Sequence, residues 1–439
     1  MDKSIGLTGS AATGSLSPVE LSQFQLLTPD NFATLTKSLP RAMRQILGFA
    51  VDIHRGTLAI SLPGGERFRV EGSVKDPIAD LEITDYAFLA SVAKHGDIGI
   101  AESFFDEHWT STDVTRFLEL FCYNEHIIHE RINGSWAARL IMRLRHLLNT
   151  NTKRQAKRNI SAHYDLGNAF YEAWLDPSMT YSSALFQTGA NDLQSAQTSK
   201  YAALADATGI QPGDHVLEIG CGWGAFAEFL AKERGAFVTG LTISNEQFNY
   251  ATTRIEDAGL TDQVDIKFQD YREEMGLYDA IVSVEMFEAV GEKFWPAYYQ
   301  TLKKCLKEGG RAGLQIITIQ EQFFQHYKRA TDFIQQYIFP GGMLPTPTHL
   351  RELGDTVDLQ LTGERIFGHD YARTLEEWRD RFMSRWDQIA PMGFDDRFQR
   401  MWRYYLHYCE AGFRAENIDV RQLVFAHNDS GKGPATSVL

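Results

Sequence analysis

Three glycines on alternate positions, Gly220, Gly222 and Gly224, follow the apolar run Val216-Leu-Glu-Ile219. They precede Ala225-Phe-Ala-Glu-Phe-Leu-Ala231, whose apolar residues recur at helical spacing. Glycine lets the chain turn tightly with no side chain between the backbone and a ligand lying against it. A strand, a glycine turn and a helix N-terminus together make a cofactor cradle of the doubly wound type. The spacing is G-x-G-x-G, not the G-x-G-x-x-G of a dinucleotide site, and Glu218 stands in the strand just before the turn. A carboxylate at that point repels a pyrophosphate and suits a cationic ligand.

The strands that must position this turn end in polar residues. The run at 236–242 reads as a second strand ending at Thr242, with Gln247 soon after, which suits a ribose in place of the lone acid of NAD enzymes. A third strand at 264–269 leads to Asp270 and Tyr271, an acid and an aromatic able to flank an adenine, and a fourth at 278–284 leads to Glu285. This series resembles the S-adenosylmethionine methyltransferase fold. It predicts an α/β architecture, a seven-stranded doubly wound class I methyltransferase domain over 161–439.

Upstream, residues 1–18 are rich in Gly, Ser, Ala and Thr and read as a disordered lead. Residues 19–130 read as a small α+β accessory domain. Helical spacing near Ala42–Leu47 is followed by β-like runs at 56–62 and 67–72 around a Pro-Gly-Gly turn, then helical patterns at 86–95 and 112–130. Residues 131–160 form a basic bridge: from Arg131 to Arg158 there are eight Lys or Arg and no acid. Trp136, Leu140, Ile141, Met142, Leu144, Leu147 and Leu148 lie between those charges. That composition suits either a membrane-surface segment or a helix whose apolar face packs between domains.

At 439 residues the chain is long enough for two cores. A net charge of −14 argues against a nucleic-acid partner. No apolar run approaches the roughly 20 residues needed to span a bilayer, and the N-terminus lacks a signal-peptide core. The four cysteines are far apart, which speaks against a disulfide framework or a metal site. The expectation is a cytoplasmic protein, peripheral at the inner face of the membrane.

Further motifs lie around the cradle: His163-Tyr-Asp-Leu-Gly-Asn168, Met-Thr-Tyr181-Ser182-Ser-Ala, Thr242-Ile-Ser-Asn-Glu-Gln247, Met286-Phe-Glu-Ala-Val-Gly291 and Tyr337-Ile-Phe-Pro-Gly-Gly. With the segment at 99–109, they resemble the cyclopropane fatty acid synthase family over roughly 80–427. The resemblance implies methylation by S-adenosylmethionine of the double bond in a phospholipid acyl chain, and so a membrane phospholipid as partner through segment 131–158. Self-association into a homodimer stays open. The resemblance also implies that Tyr181 and Ser182 close over the methionine end of the cofactor. Glu218, Gly220, Gly222 and Gly224 form the cradle, Thr242 and Gln247 hold the ribose region, and Asp270 and Tyr271 flank the adenine.

In the family a bound bicarbonate, held by a Glu, a His, a Tyr and backbone amides, removes the proton that allows ring closure. Its Glu matches Glu288 and its Tyr matches Tyr371. This chain departs from the pattern around that site. Gln315 stands for the His, Ala289 for a second His, Ser183 for a Cys, and Glu285 for a Gly. Gln315 donates a hydrogen bond but carries no charge. Glu285 puts a second carboxylate near Glu288, and two nearby acids push one pKa upward. Bicarbonate would then be held less firmly; the expected product is still the cyclopropane ring, with a methyl or methylene branch as the alternative. Cys409 matches a family cysteine regarded as catalytic, but no step requires a thiolate and it reads as a packing residue. His163 reads as a packing or capping residue, the 337–345 loop as a wall of the acyl tunnel, and the aromatic runs at 295–299 and 402–408 as core. Relatives that methylate alkaloid amines keep a soluble small-molecule methyltransferase open as an alternative. A lipid-binding protein that has lost catalysis is another.

Overall fold

The computed structural model describes residues 16–125, 166–329, 331–427 and 437–438. It divides into two compact units, 1–134 and 135–439. The expected lead up to residue 15, the basic bridge at 131–160 and His163 lie outside the described residues. Pro18, at the end of that lead, opens a short helix capped by the Ser17 side chain. Among the described residues no helix is long and apolar enough to cross a membrane.

The first unit holds a five-stranded sheet in the order β1-β3-β2-β4-β5. Its strands are β1 (Gln25–Leu26), β2 (Arg55–Ser61), β3 (Arg67–Glu71), β4 (Val74–Ile83) and β5 (Trp109–Thr110). β2 and β3 form the hairpin that the Pro-Gly-Gly turn predicts, with Leu62 N–H donating to the Glu66 carbonyl at 2.9 Å. Helices Arg41–Ala50, Ala87–His95, Asp97–Phe105 and Val114–Tyr123 accompany the sheet. Asp113 starts the last of these by accepting from the Arg116 N–H, which satisfies one orphan donor of its first turn.

The second unit is built on one sheet in the order β13-β11-β12-β10-β9-β6-β7-β8. In chain order its strands are β6 (His215–Ile219), β7 (Phe237–Thr242), β8 (Val264–Phe268), β9 (Tyr278–Val284), β10 (Leu306–Ile319), β11 (Leu359–Ile366), β12 (Ile418–His427) and β13 (Ser437–Val438). The first five run parallel, and β12 is antiparallel to both β10 and β11. The two-residue β13 adds an eighth strand at the edge of the expected seven. From β6 the chain winds outward through β7 and β8, then returns to the other side of β6 as β9. That reversal opens a crevice beyond the carboxyl ends of β6 and β9, where ligands bind in such sheets.

Helix Leu193–Thr208 packs on β10 with almost no clearance. A Cβ on Gly313 would lie 2.4 Å from the Thr208 methyl and 3.0 Å from Leu204 Cδ1. On the same side of the sequence as the C-terminus, helices Gly368–Ser384 and Asp396–Arg414 bury Trp378, Trp402 and Tyr405 with Trp174 and Phe170. The run Trp295–Tyr299 is likewise core, with Trp295, Tyr298 and Tyr299 buried. Gly313→Val should destabilise the second unit by about 1–3 kcal/mol through overpacking. Urea unfolding followed by tryptophan fluorescence measures it.

Candidate active site

The glycine turn leaves β6 with Gly220 at φ +83°, Gly222 at +52° and Gly224 at +84°, all in the left-handed region. A Cβ on Gly220 would come 2.7 Å from Met286 Cγ, and one on Gly224 3.0 Å from Ala251 Cβ. A Cβ on Gly222 would meet nothing within 4 Å. The outer glycines therefore let the turn close against its neighbours, while the middle one presents bare backbone to open space. Gly224 then caps helix Ala225–Arg234.

Glu218, the penultimate residue of β6, is almost fully buried, and its Oε2 has no hydrogen-bond partner among the described residues. Burial pushes its carboxyl up to about 8, against the opposing pull of Lys200. An unpartnered carboxylate oxygen beside open glycine backbone fits S-adenosylmethionine, which brings both a positive charge and polar groups. Thr242, at the end of β7, donates from its hydroxyl to Gln247 Oε1 at 2.9 Å, and both side chains are buried. Asp270 forms a paired ion bridge to Arg272, with Nε–Oδ1 at 2.8 Å. The Tyr271 ring packs edge-on to Tyr298 at 5.3 Å between centroids.

Tyr181 hydrogen-bonds the Tyr405 hydroxyl at 2.8 Å and packs among Tyr171, Trp174 and Trp378. Buried Ser182 accepts from the Lys200 ammonium at its hydroxyl, and its carbonyl accepts from Gln197 Nε2 at 2.8 Å.

Glu285 is the centre of the other half of the site. Its Oε1 accepts from the Ser183 backbone N–H at 2.9 Å and from Gln315 Nε2 at 2.8 Å; its Oε2 accepts from the Tyr371 hydroxyl at 2.6 Å. Burial raises its pKa, and Lys200 and these three donors oppose the rise. Its backbone lies at φ +49°, a conformation that glycine adopts freely and a side chain adopts only under strain. Gln315 is fully buried on β10, opposite Gln422 on β12, whose Nε2 donates to the Gln315 side-chain Oε1 at 3.1 Å. That bond fixes the Gln315 amide group so that its N–H faces Glu285.

Glu288 accepts from the Ile317 N–H at 2.5 Å through Oε1, while its Oε2 is buried without a partner. Burial first, and the Glu285 charge second, push it up to about 8. The Glu288 carbonyl accepts from Met343 N–H at 2.9 Å, which brings the loop after the π-helical turn Ile334–Ile338 to this acid. Tyr371 is buried and stacked on Phe413 at 4.4 Å. The donors that sequence reasoning grouped with Glu288, Tyr371 and Gln315, thus meet on Glu285. Burial pushes the Cys409 thiol far up, with Asp332 adding to it, so it is held as a neutral thiol.

Lys200, Gln422 and Tyr405 escaped the sequence reading. Lys200 is fully buried on helix Leu193–Thr208; burial pulls its pKa down to about 7, against the fields of Glu285, Asp176 and Glu218. The signal was present: Ala196, Gln197, Lys200, Tyr201 and Leu204 recur at helical spacing on one buried face.

The parallel sheet, its reversal point and the glycine cradle define a class I S-adenosylmethionine-dependent methyltransferase. The family model of mycolic acid cyclopropane synthetase matches residues 151–423, and the chain belongs to that family of enzymes. It is 39% identical over 346 residues, 76% of this chain and 80% of the relative, to a tuberculostearic acid methyltransferase of Mycobacterium tuberculosis. It is 33% identical over 350 residues, 79% of this chain and 88% of the relative, to the cyclopropane-fatty-acyl-phospholipid synthase of Escherichia coli. Among solved structures, a mycolic acid cyclopropane synthase complexed with SAH and CTAB superposes with a TM-score of 0.58 at 28% identity, covering 61% of this chain and 97% of that one.

A sulfonium near Glu218 lowers that carboxyl's pKa, so binding releases a proton. Affinity for S-adenosylmethionine should therefore rise as pH is raised towards about 8 and level off above it. Calorimetry on the wild type and on Glu218→Gln checks this. The variant should lose the pH dependence and about tenfold in affinity for S-adenosylmethionine, with a smaller loss for S-adenosylhomocysteine, which lacks the sulfonium charge.

Proposed function

We propose that this enzyme methylates the double bond of an unsaturated acyl chain in a phospholipid, and that Glu285 accepts the proton released, giving a methylene branch without ring closure. The observation that carries this reading is the convergence of Tyr371, Gln315 and the Ser183 N–H on the Glu285 carboxylate. Those are the kinds of donor that would hold a bicarbonate by resemblance, and here a carboxylate of the chain itself receives them. A relative named as a tuberculostearic acid methyltransferase supports methyl transfer to a fatty acid.

S-adenosylmethionine, when bound, supplies an electrophilic methyl group. The chain's own part is to exclude water and to move one proton. The aromatic wall of Tyr181, Trp174 and Trp378 keeps the site dry. Methylation of one alkene carbon leaves positive charge on its neighbour, and a hydride shift along the acyl chain moves that charge to the methyl-bearing carbon. Loss of a methyl proton to Glu285 turns its C–H electron pair into the second bond of a methylene group. Were that pair to close onto the first cationic carbon, a ring would result. We assign the basic segment 131–158 to anionic headgroups, at about 1 kcal/mol per charge near the surface.

Labelled S-adenosylmethionine and oleoyl-phospholipid vesicles, followed by mass spectrometry of the released acyl chains, should place the label in a methylene branch. Label confined to a ring would overturn the product assignment. Glu285→Gln should retain cofactor binding and slow product formation by about 10²–10⁴-fold, the usual contribution of a positioned base. The double variant Glu285→Gly, Gln315→His should divert label into the ring, read by the same analysis.

A further inference from the structure

Buried lysines without a fixed partner are costly, because burial disfavours the charged form. Lys200 is fully buried, and its surroundings are specific. Its ammonium donates to the Ser182 hydroxyl, in the segment that by resemblance closes over the cofactor, and lies 4.5 Å from the Tyr201 ring centroid. Gln197, one turn earlier on the same helix, holds the Ser182 carbonyl, while Gln422 on β12 donates to the Lys200 carbonyl at 3.1 Å. The same Gln422 amide contacts Gln315, the donor to Glu285. The acids whose fields reach the ammonium come from three further places: Glu218 on β6, Glu285 after β9 and Asp176 after helix Asn168–Glu172. One cation thus stands at the junction of the closing segment, the cofactor cradle and the proton acceptor.

We propose that Lys200 is a positioning residue that ties the cofactor cradle to the proton-accepting carboxylate: its ammonium seats Ser182, and the next residue, Ser183, donates its N–H to Glu285. The inference rests on the reading of Glu285 as proton acceptor. It adds a second role, electrostatic coupling of that acid to the cradle. Beside this contact, the Lys200 charge opposes the rise that burial gives the pKa of Glu218 and of Glu285.

Removing the cation raises both acids, so more alkaline conditions are needed to ionise them and the acid limb of the pH–rate profile moves up. Lys200→Met and Lys200→Arg in the full chain test this, with thermal melting to establish folding and total S-adenosylhomocysteine release on oleoyl-phospholipid vesicles as the rate. Lys200→Met should shift the acid limb upward by about one pH unit and lower the rate at neutral pH about tenfold. Lys200→Arg, which keeps the charge, should restore the limb. A folded Lys200→Met enzyme whose limb does not move, or an Arg variant whose limb stays with Met, would overturn the proposal. Reading total turnover keeps the two ideas apart. A moved limb with a ring product would sink the product assignment alone, and an unmoved limb with a methylene product would sink the role of Lys200 alone.

Discussion

The site depends on how buried negative charge is held. Glu218, Glu285 and Glu288 gather around the crevice beyond β6 and β9, and Lys200 is the ammonium whose field reaches two of them. Charge buried away from water must be paired, hydrogen-bonded or neutralised by a proton. Each acid resolves this differently. Glu285 receives three donors and the field of Lys200, whereas Glu288, held by the Ile317 N–H, and Glu218 each keep one oxygen without a partner among the described residues. The resulting gradient separates the tasks: Glu218 suits a cationic cofactor, and Glu285 is the acid best held as a carboxylate.

Backbone geometry explains why Glu285 can do this. A side chain at φ +49° is strained by roughly 1 kcal/mol or more, and it persists because its surroundings fix it. The Glu285 N–H donates to the Gln315 carbonyl at 2.8 Å, and the side chains of the same two residues bond each other. Glu285 and Gln315, the two departures from the pattern that the resemblance implies, are therefore bonded to each other through both backbone and side chain. Gln422 completes it from the neighbouring strand by orienting the Gln315 amide.

The strand ends and glycine spacing made the sheet legible, because periodicity and turn chemistry are local. β6, β7 and β9 lie where the apolar runs predict, and β8 stops one residue short, at Phe268. The two-residue β13 carries too little sequence to announce itself. In the site, Glu285, Gln315 and Tyr371 were visible as residue types, but which acid the donors would meet is set by the register of β10 against β9 and β12. Lys200 was missed because lysine on a helix ordinarily lies in water. Only the packing of that helix on β10, through Gly313, puts it inside.

On the proposed reading, the Glu285 carboxylate takes the place that the resemblance gives to a bound bicarbonate. Methyl transfer to lipid in carefully carbonate-free buffer, with and without added bicarbonate, tests it most directly. The wild type should turn over equally well in both, while Glu285→Gly should need the added anion. A wild-type enzyme that stops when bicarbonate is withdrawn and recovers when it is returned would contradict the account.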